Sequence, residues 1–127
     1  MPPYLLVVLD ENGTIVDFQC DMEGIDYEPQ QVIGKNWFDL FIDPADKERI
    51  FTVFKEILEG KDREYETYKN DILAKNGSHK LIDFYNKLLT HNGKRYTFSV
   101  GLEHYTYEPS LLKELALQLY ESLDLFK

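Results

Sequence analysis

The residues in this chain whose types could do chemistry are three histidines, one cysteine, an aspartate in a strand, and an asparagine inside an otherwise apolar row. His79, His91 and His104 fall in turns and at a strand end, without the i, i+4 or Cys-x-x-Cys spacing a metal site needs, so hairpin-stabilising or solvent-facing roles and no metal site are expected. Cys20, in Gln19-Cys20-Asp21, has no partner for an internal disulfide and reads as a small buried residue in a reducing compartment. Asp83 is the obvious carboxylate that burial could turn into a general base. Strand alternation, however, puts it opposite Ile82, Phe84 and Leu88, toward water. With no Gly-rich phosphate loop and no nucleophile–base pair, the chain reads as a non-enzyme. What remains is binding. Asn86 interrupts the row Ile82, Phe84, Leu88, and a buried amide must find partners or cost on the order of 1–3 kcal/mol. It is the first candidate to touch a ligand, the alternative being a bond to helix backbone.

Positioning these residues takes a sheet and a helical layer. Residues 4–9 are apolar and β-prone, and Asp10-Glu11-Asn12-Gly13 supplies the turn of a hairpin with residues 14–19. Weak periodicity from Cys20 to Phe41, with Pro29 at a helix start, predicts short helices. Asp43 as N-cap and Pro44 at the first helical position predict a longer helix ending at Gly60, with Ile50, Val53, Phe54, Ile57 and Leu58 on its apolar face. Residues 63–72, 80–90 and 94–105 read as three strands, joined through Asn76-Gly77 and Asn92-Gly93.

In the last strand Tyr96, Phe98, Val100 and Leu102 alternate with Thr97, Ser99, Gly101 and Glu103. The apolar set is expected to face Ile82, Phe84, Asn86 and Leu88, leaving the small and polar set outside. A pocket is expected between those rows, with Phe54 and Ile57 across them and Trp37 and Phe41 closing one side. The candidate ligand residues are therefore Asn86, Tyr96, Phe54, Ile57, Trp37, Phe41, Phe84 and Phe98, although large aromatics more often fill a small interior than line a cavity. From Pro109 and Ser110 onward, Leu111, Leu112, Leu115, Leu119, Leu123 and Phe126 mark a terminal helix. Its heptad pattern is too short to identify a coiled coil, so Leu112, Leu115 and Leu119 are expected as docking or dimer contacts.

A length of 127 residues allows one ordinary domain. Fourteen basic against twenty-three acidic residues give a net charge of −9, which repels phosphate backbones and anionic lipid, so neither nucleic acid nor a membrane surface is an expected partner. The longest apolar run, residues 4–9, is far short of the roughly 20 residues of a membrane span. Without a secretory signal pattern the expected location is cytoplasmic.

Two strands, short helices, a longer helix and three antiparallel strands make an α+β order. Ile33-Gly34-Lys35-Asn36-Trp37-Phe38-Asp39-Leu40-Phe41, followed by Asp43-Pro44-Ala45-Asp46, closely resembles the middle of a PAS domain. Leu9-Asp10-Glu11-Asn12-Gly13-Thr14-Ile15 is similar to the opening hairpin of that family, and Asn76-Gly77-Ser78-His79-Lys80 through Asn86, with Asn92-Gly93, to its last hairpin pair. The resemblance spans residues 4–105. It implies a PAS-like (profilin-like) fold, with a five-stranded antiparallel sheet covered on one face by helices and a pocket between them, plus a C-terminal helix. Residues 1–107 would be the sensory domain and 108–127 a connector.

The implied function is a sensory module of a bacterial signal-transduction protein, binding a small ligand or partner as a homodimer and relaying its state to a C-terminal effector of histidine kinase or GGDEF diguanylate cyclase type. A ligand-free dimerisation module is the alternative. The cofactor is left open by the resemblance. No Asn-Cys-Arg-Phe-Leu motif supports a covalent flavin adduct, and no histidine on the long helix supports haem. The chain departs from the family at Gln19, where an asparagine often pins the following helix. It departs again at Glu103-His104-Tyr105-Thr106, in place of an Asp-x-Thr exit triplet.

Overall fold

In the computed structural model, which describes residues 2–104 and 106–123, strand β1 (Leu5–Leu9) is buried at every position. A strand buried throughout must have layers on both faces of its sheet, here three helices on one face and the C-terminal helix on the other, and β1 is also interior to the sheet. β1 pairs antiparallel with β2 (Ile15–Cys20) on one side and with β5 (Lys94–Glu103) on the other. β4 (His79–His91) follows β5, and β3 (Thr67–Leu73) closes the edge, giving the order β2-β1-β5-β4-β3. The β4–β5 loop is the tight turn its sequence predicts. Asn92 and Gly93 have φ of 51° and 77°, the pair of positive values a type I′ turn requires.

Three helices cover one face: α1 (Pro29–Val32), α2 (Trp37–Phe41) and α3 (Lys47–Glu56). The long helix starts later than expected. The Asp43 carboxylate accepts the Ala45 amide at 2.9 Å and its carbonyl accepts the Asp46 amide at 2.8 Å, so Asp43 and Pro44 belong to a turn and Asp46 takes the N-cap position. At its other end α3 passes into a wide π-type turn, Ile57–Lys61, where Gly60 has φ +99°, a conformation that glycine adopts without steric cost. Residues 62–66 form local turns, with the Glu64 amide on the Lys61 carbonyl and the Tyr65 amide on the Asp62 carbonyl, so β3 begins only at Thr67. The expected last residue of β5, Tyr105, lies outside the described residues, as does Phe126 of the terminal stripe.

The C-terminal helix α4 (Leu111–Glu121) lies against the opposite face of the sheet. This placement corrects the expected facing of the two apolar rows. In the β4–β5 ladder Phe84 is opposite Gly101, Asn86 opposite Ser99, and Leu88 opposite Thr97. Directly opposed residues share a face, so the small and polar row of β5 faces α1–α3. Tyr96, Phe98, Val100 and Leu102 belong instead to the cluster under α4, with Leu6, Val8, Tyr85, Leu112, Leu115 and Ala116. The helical-side core holds Leu5, Val7, Leu9, Phe18, Trp37, Phe41, Phe54, Ile82 and Phe84.

Gly101 makes that crowded inner face possible. A Cβ built there would stand 2.5 Å from Ile82 Cγ2 and 3.0 Å from Phe84 Cε1. Gly101→Ala is therefore expected to lower stability by about 1–3 kcal/mol through overpacking, measured by urea unfolding. An unchanged midpoint would mean that the two side chains can move aside freely.

Candidate functional site

The hairpin turn and α2 are built as one unit, and this sets the first wall of the site. Asn36 caps α2, its side-chain oxygen accepting the Phe38 and Asp39 amides at 2.9 and 3.3 Å, while its amide nitrogen donates to the Asn12 carbonyl at 3.1 Å. The Trp37 amide donates to the Gly13 carbonyl at 2.9 Å, and a Cβ on Gly13 would fall 2.7 Å from the Phe38 ring. Trp37 and Phe38 are thus held over the sheet by backbone bonds and close contact. Trp37 stacks on Phe41 with centroids 4.5 Å apart and meets the Phe84 ring edge-on at 6.3 Å. Phe41 stacks in turn on Phe18 at 5.6 Å.

Between this layer, α3 and the sheet lies a cavity of about 50 Å³. Its helical side is apolar: Trp37, Phe38, Ile50, Val53, Phe54 and Ile57. Its sheet side carries Val7, Leu9 and Phe84 together with a polar strip, Tyr68, Asn70, Asn86, Thr97 and Ser99. Asn86 is central to the strip. It is 8% exposed; its side-chain nitrogen donates to the Tyr65 carbonyl at 2.8 Å, and its oxygen accepts the Ser99 hydroxyl at 2.7 Å. Both amide ends are thereby oriented: Asn86 lines the cavity, and the backbone it bonds is the turn at Tyr65, not the helix that was the expected alternative.

At the rim, Arg49 donates to the Tyr68 hydroxyl at 2.6 Å and reaches Asp46 at 3.4 Å. The Tyr68 hydrogen bond holds the guanidinium pKa above its ordinary value. Tyr65, packed edge-on to Tyr68 at 5.8 Å, donates to Glu56, and that bond to a carboxylate pushes its pKa up to about 12.

The expected site residues divide accordingly. Asn86, Phe54, Ile57, Trp37 and Phe84 come together around the cavity. Phe41 stands behind Trp37, and Tyr96 and Phe98 lie on the other side of the sheet. Tyr68, Asn70, Thr97 and Ser99 were not expected. Their signal was present as polar residues at alternate positions of β3 and β5, but alternation alone also describes a solvent face.

The other face of the same two strands holds α4. Leu112 and Leu115 are 3% and 2% exposed and pack within the chain, so as dimer contacts they would require α4 to leave the sheet; Leu119 packs at the edge of that cluster. Tyr120 meets the Phe98 ring edge-on at 5.4 Å, and Lys87 Nζ lies 5.1 Å from the Tyr120 centroid. Lys113 pairs with Glu66 at 3.1 Å, which holds the Glu66 carboxyl below its usual value.

The route from β5 into α4 is tied down at Asp83. Its carboxylate meets His104 Nδ1 at 2.8 Å and accepts the Tyr107 hydroxyl at 2.7 Å. Burial, reinforced by that bond, raises the Tyr107 pKa. Asp83 is thus engaged in anchoring the exit segment. Gln19, the other departure from the resemblance, is exposed and accepts the Tyr4 hydroxyl at 3.2 Å on its own hairpin. Among the described residues no group of His, Cys, Asp and Glu could hold a metal ion, and no helix is long and apolar enough to cross a membrane.

No protein-family profile and no curated protein matches the chain. Solved structures do match. The PAS domain of the Cronobacter turicensis RpfR quorum-sensing receptor, in complex with BDSF, is 26% identical, with a TM-score of 0.60 over 80% of this chain and 93% of that one. A PAS domain of a Colwellia psychrerythraea protein is 19% identical, with a TM-score of 0.59 over 82% and 88%. The Drosophila melanogaster Cycle PAS-B domain with bound ethylene glycol is 12% identical, with a TM-score of 0.58 over 78% and 98%.

Proposed function

We propose that this chain, which has the PAS fold, works as a sensory module whose interior takes a small ligand and whose α4 relays occupancy to an effector in the intact protein, of the histidine kinase or diguanylate cyclase type that the sequence resemblance implies. One observation carries the reading. Consecutive residues of β4 and β5 alternate between cavity and α4: Asn86 lines the cavity between Tyr85 and Lys87 on the α4 side, and Ser99 lines it between Phe98 and Val100. A shift of either strand that widens the cavity must therefore move the surface on which α4 rests, because the two sets of side chains share one backbone. A second link runs through the turn that precedes β3. The Asn86 amides hold the Tyr65 and Glu66 carbonyls at 2.8 and 3.0 Å, and the Glu66 carboxylate holds Lys113 of α4.

A cavity of about 50 Å³ is far below the several hundred Å³ of a drug-sized or cofactor site, which favours a small ligand over haem or flavin. The relay can be tested without knowing the ligand, by using added bulk in its place. Val7→Ile adds one methylene to the cavity wall and disturbs no side-chain hydrogen bond. Amide hydrogen exchange across 111–121 is expected to change by about tenfold or more, with the β1–β2 turn unaffected. Unchanged exchange in α4, in a variant whose cavity residues do respond, would refute the relay.

A further inference from the structure

We infer that the ligand of this cavity is an uncharged molecule of roughly four non-hydrogen atoms, with an amide-like hydrogen-bonding edge and an aliphatic back. This rests on the sensing reading above and specifies its chemistry.

The size follows from the volume. A buried water needs at least about 10–15 Å³ measured in this way, so 50 Å³ holds roughly three to five water-sized groups. Absence of charge follows from the walls. No side chain lining the cavity is a carboxylate, ammonium, guanidinium or imidazole: the polar groups are those of tyrosine, asparagine, threonine and serine and the Trp37 indole N–H, and the rest is hydrocarbon. The guanidiniums of Arg49, at the rim, and Arg95 already have partners, Arg49 through the hydroxyl of the lining residue Tyr68. Arg49 is held by Tyr68 and Asp46, and Arg95 by the Leu58 carbonyl and Glu11, each at 2.9 Å. An ion entering this space would lose its hydration without meeting a counter-charge, whereas a neutral polar molecule exchanges water for the strip.

The shape of the polar edge follows from how Asn86 is fixed. A primary amide has two N–H donors and two oxygen lone pairs. One donor is used on Tyr65 and one lone pair on Ser99, which leaves one donor and one acceptor on the same rigid group. Ser99, having donated its proton, adds a further acceptor. The complement of that arrangement is itself a neighbouring donor and acceptor, as in a carboxamide. Across the cavity Ile50, Val53, Phe54 and Ile57 offer only hydrocarbon, so the ligand's other side must be aliphatic.

Three isosteric probes separate the possibilities on the unmodified chain: acetamide, acetate and acetamidinium, which share shape and size and differ in charge. Each is titrated into uniformly ¹⁵N-labelled protein, following the Asn86 side-chain amide and the Thr97 and Ser99 backbone amides. Acetamide is expected to give saturable shifts at these three groups, with acetate and acetamidinium at least about tenfold weaker. Equal or stronger binding of either ion at the same resonances would overturn the assignment of ligand class and leave the sensing reading standing. Shifts confined to surface residues, or silence from all three probes, would also overturn it. The sensing reading falls as well only if Val7→Ile leaves α4 exchange unchanged.

Discussion

Phe98→Ala is expected to cost about 3–5 kcal/mol, the usual range for removing a fully buried phenylalanine, and to lower Tm by on the order of 10–20 °C for a domain of this size. Phe98 is 0% exposed and lies under α4 against Tyr120, so its loss leaves a void that neither a strand nor a docked helix can readily fill. The same variant reports which face the residue serves. Thr97 and Ser99 line the cavity while Phe98 points away from it. Probe binding at Asn86 should therefore survive in the fraction that remains folded. A loss of only a few tenths of a kcal/mol, or a selective loss of probe binding at unchanged stability, would place Phe98 on the cavity side after all.

Leu115→Asp should separate α4 from the sheet. Leu115 and Leu112 are both buried, and each such leucine contributes roughly 1.5–3 kcal/mol. An aspartate in that apolar seam loses its hydration, so the helix gives up both anchors and the expected loss is about 3–6 kcal/mol. Leu117→Asp, on the exposed side of the same helix, should stay within about 0.5 kcal/mol of the parent. Light scattering then separates docking within the chain from docking between chains, because the two predict opposite signs. If α4 covers its own sheet, Leu115→Asp uncovers Leu6, Val8, Phe98 and Val100 and increases self-association. If Leu115 were a dimer contact, the same change would produce a smaller species.

The extent to which the site could be read in the sequence differs from residue to residue. Asn86 stood out because a lone amide in a row of Ile82, Phe84 and Leu88 has few physical outcomes, and its bonds to Tyr65 and Ser99 are among them. Phe54 and Ile57 follow from helical spacing and from the helix–sheet order. Thr97 and Ser99 are visible as a row, but a strand with one apolar and one polar face ordinarily turns the polar one outward, so alternation alone does not bring them to the cavity. The start of α3 was misplaced for a local reason: the Asp43 carboxylate closes a turn with Ala45 where it was expected to cap a helix.

The sequence by itself determined the element order, the two Asn-Gly connections, which residues share a strand face, and the presence of one amide among apolar neighbours. These depend on local backbone preferences and on side-chain period, both carried by contiguous residues. Only the tertiary structure decided which face of β5 meets the cavity. A period of two is unchanged when the two faces are exchanged, so hydrophobicity selects the ligand side only when one face is left to solvent. Here α4 covers the second face and attracts the apolar row Tyr96, Phe98, Val100 and Leu102. The small row Thr97, Ser99 and Gly101 is left toward α1–α3, where Gly101 admits Ile82 and Phe84 and the two hydroxyl residues join Asn86 along the polar wall.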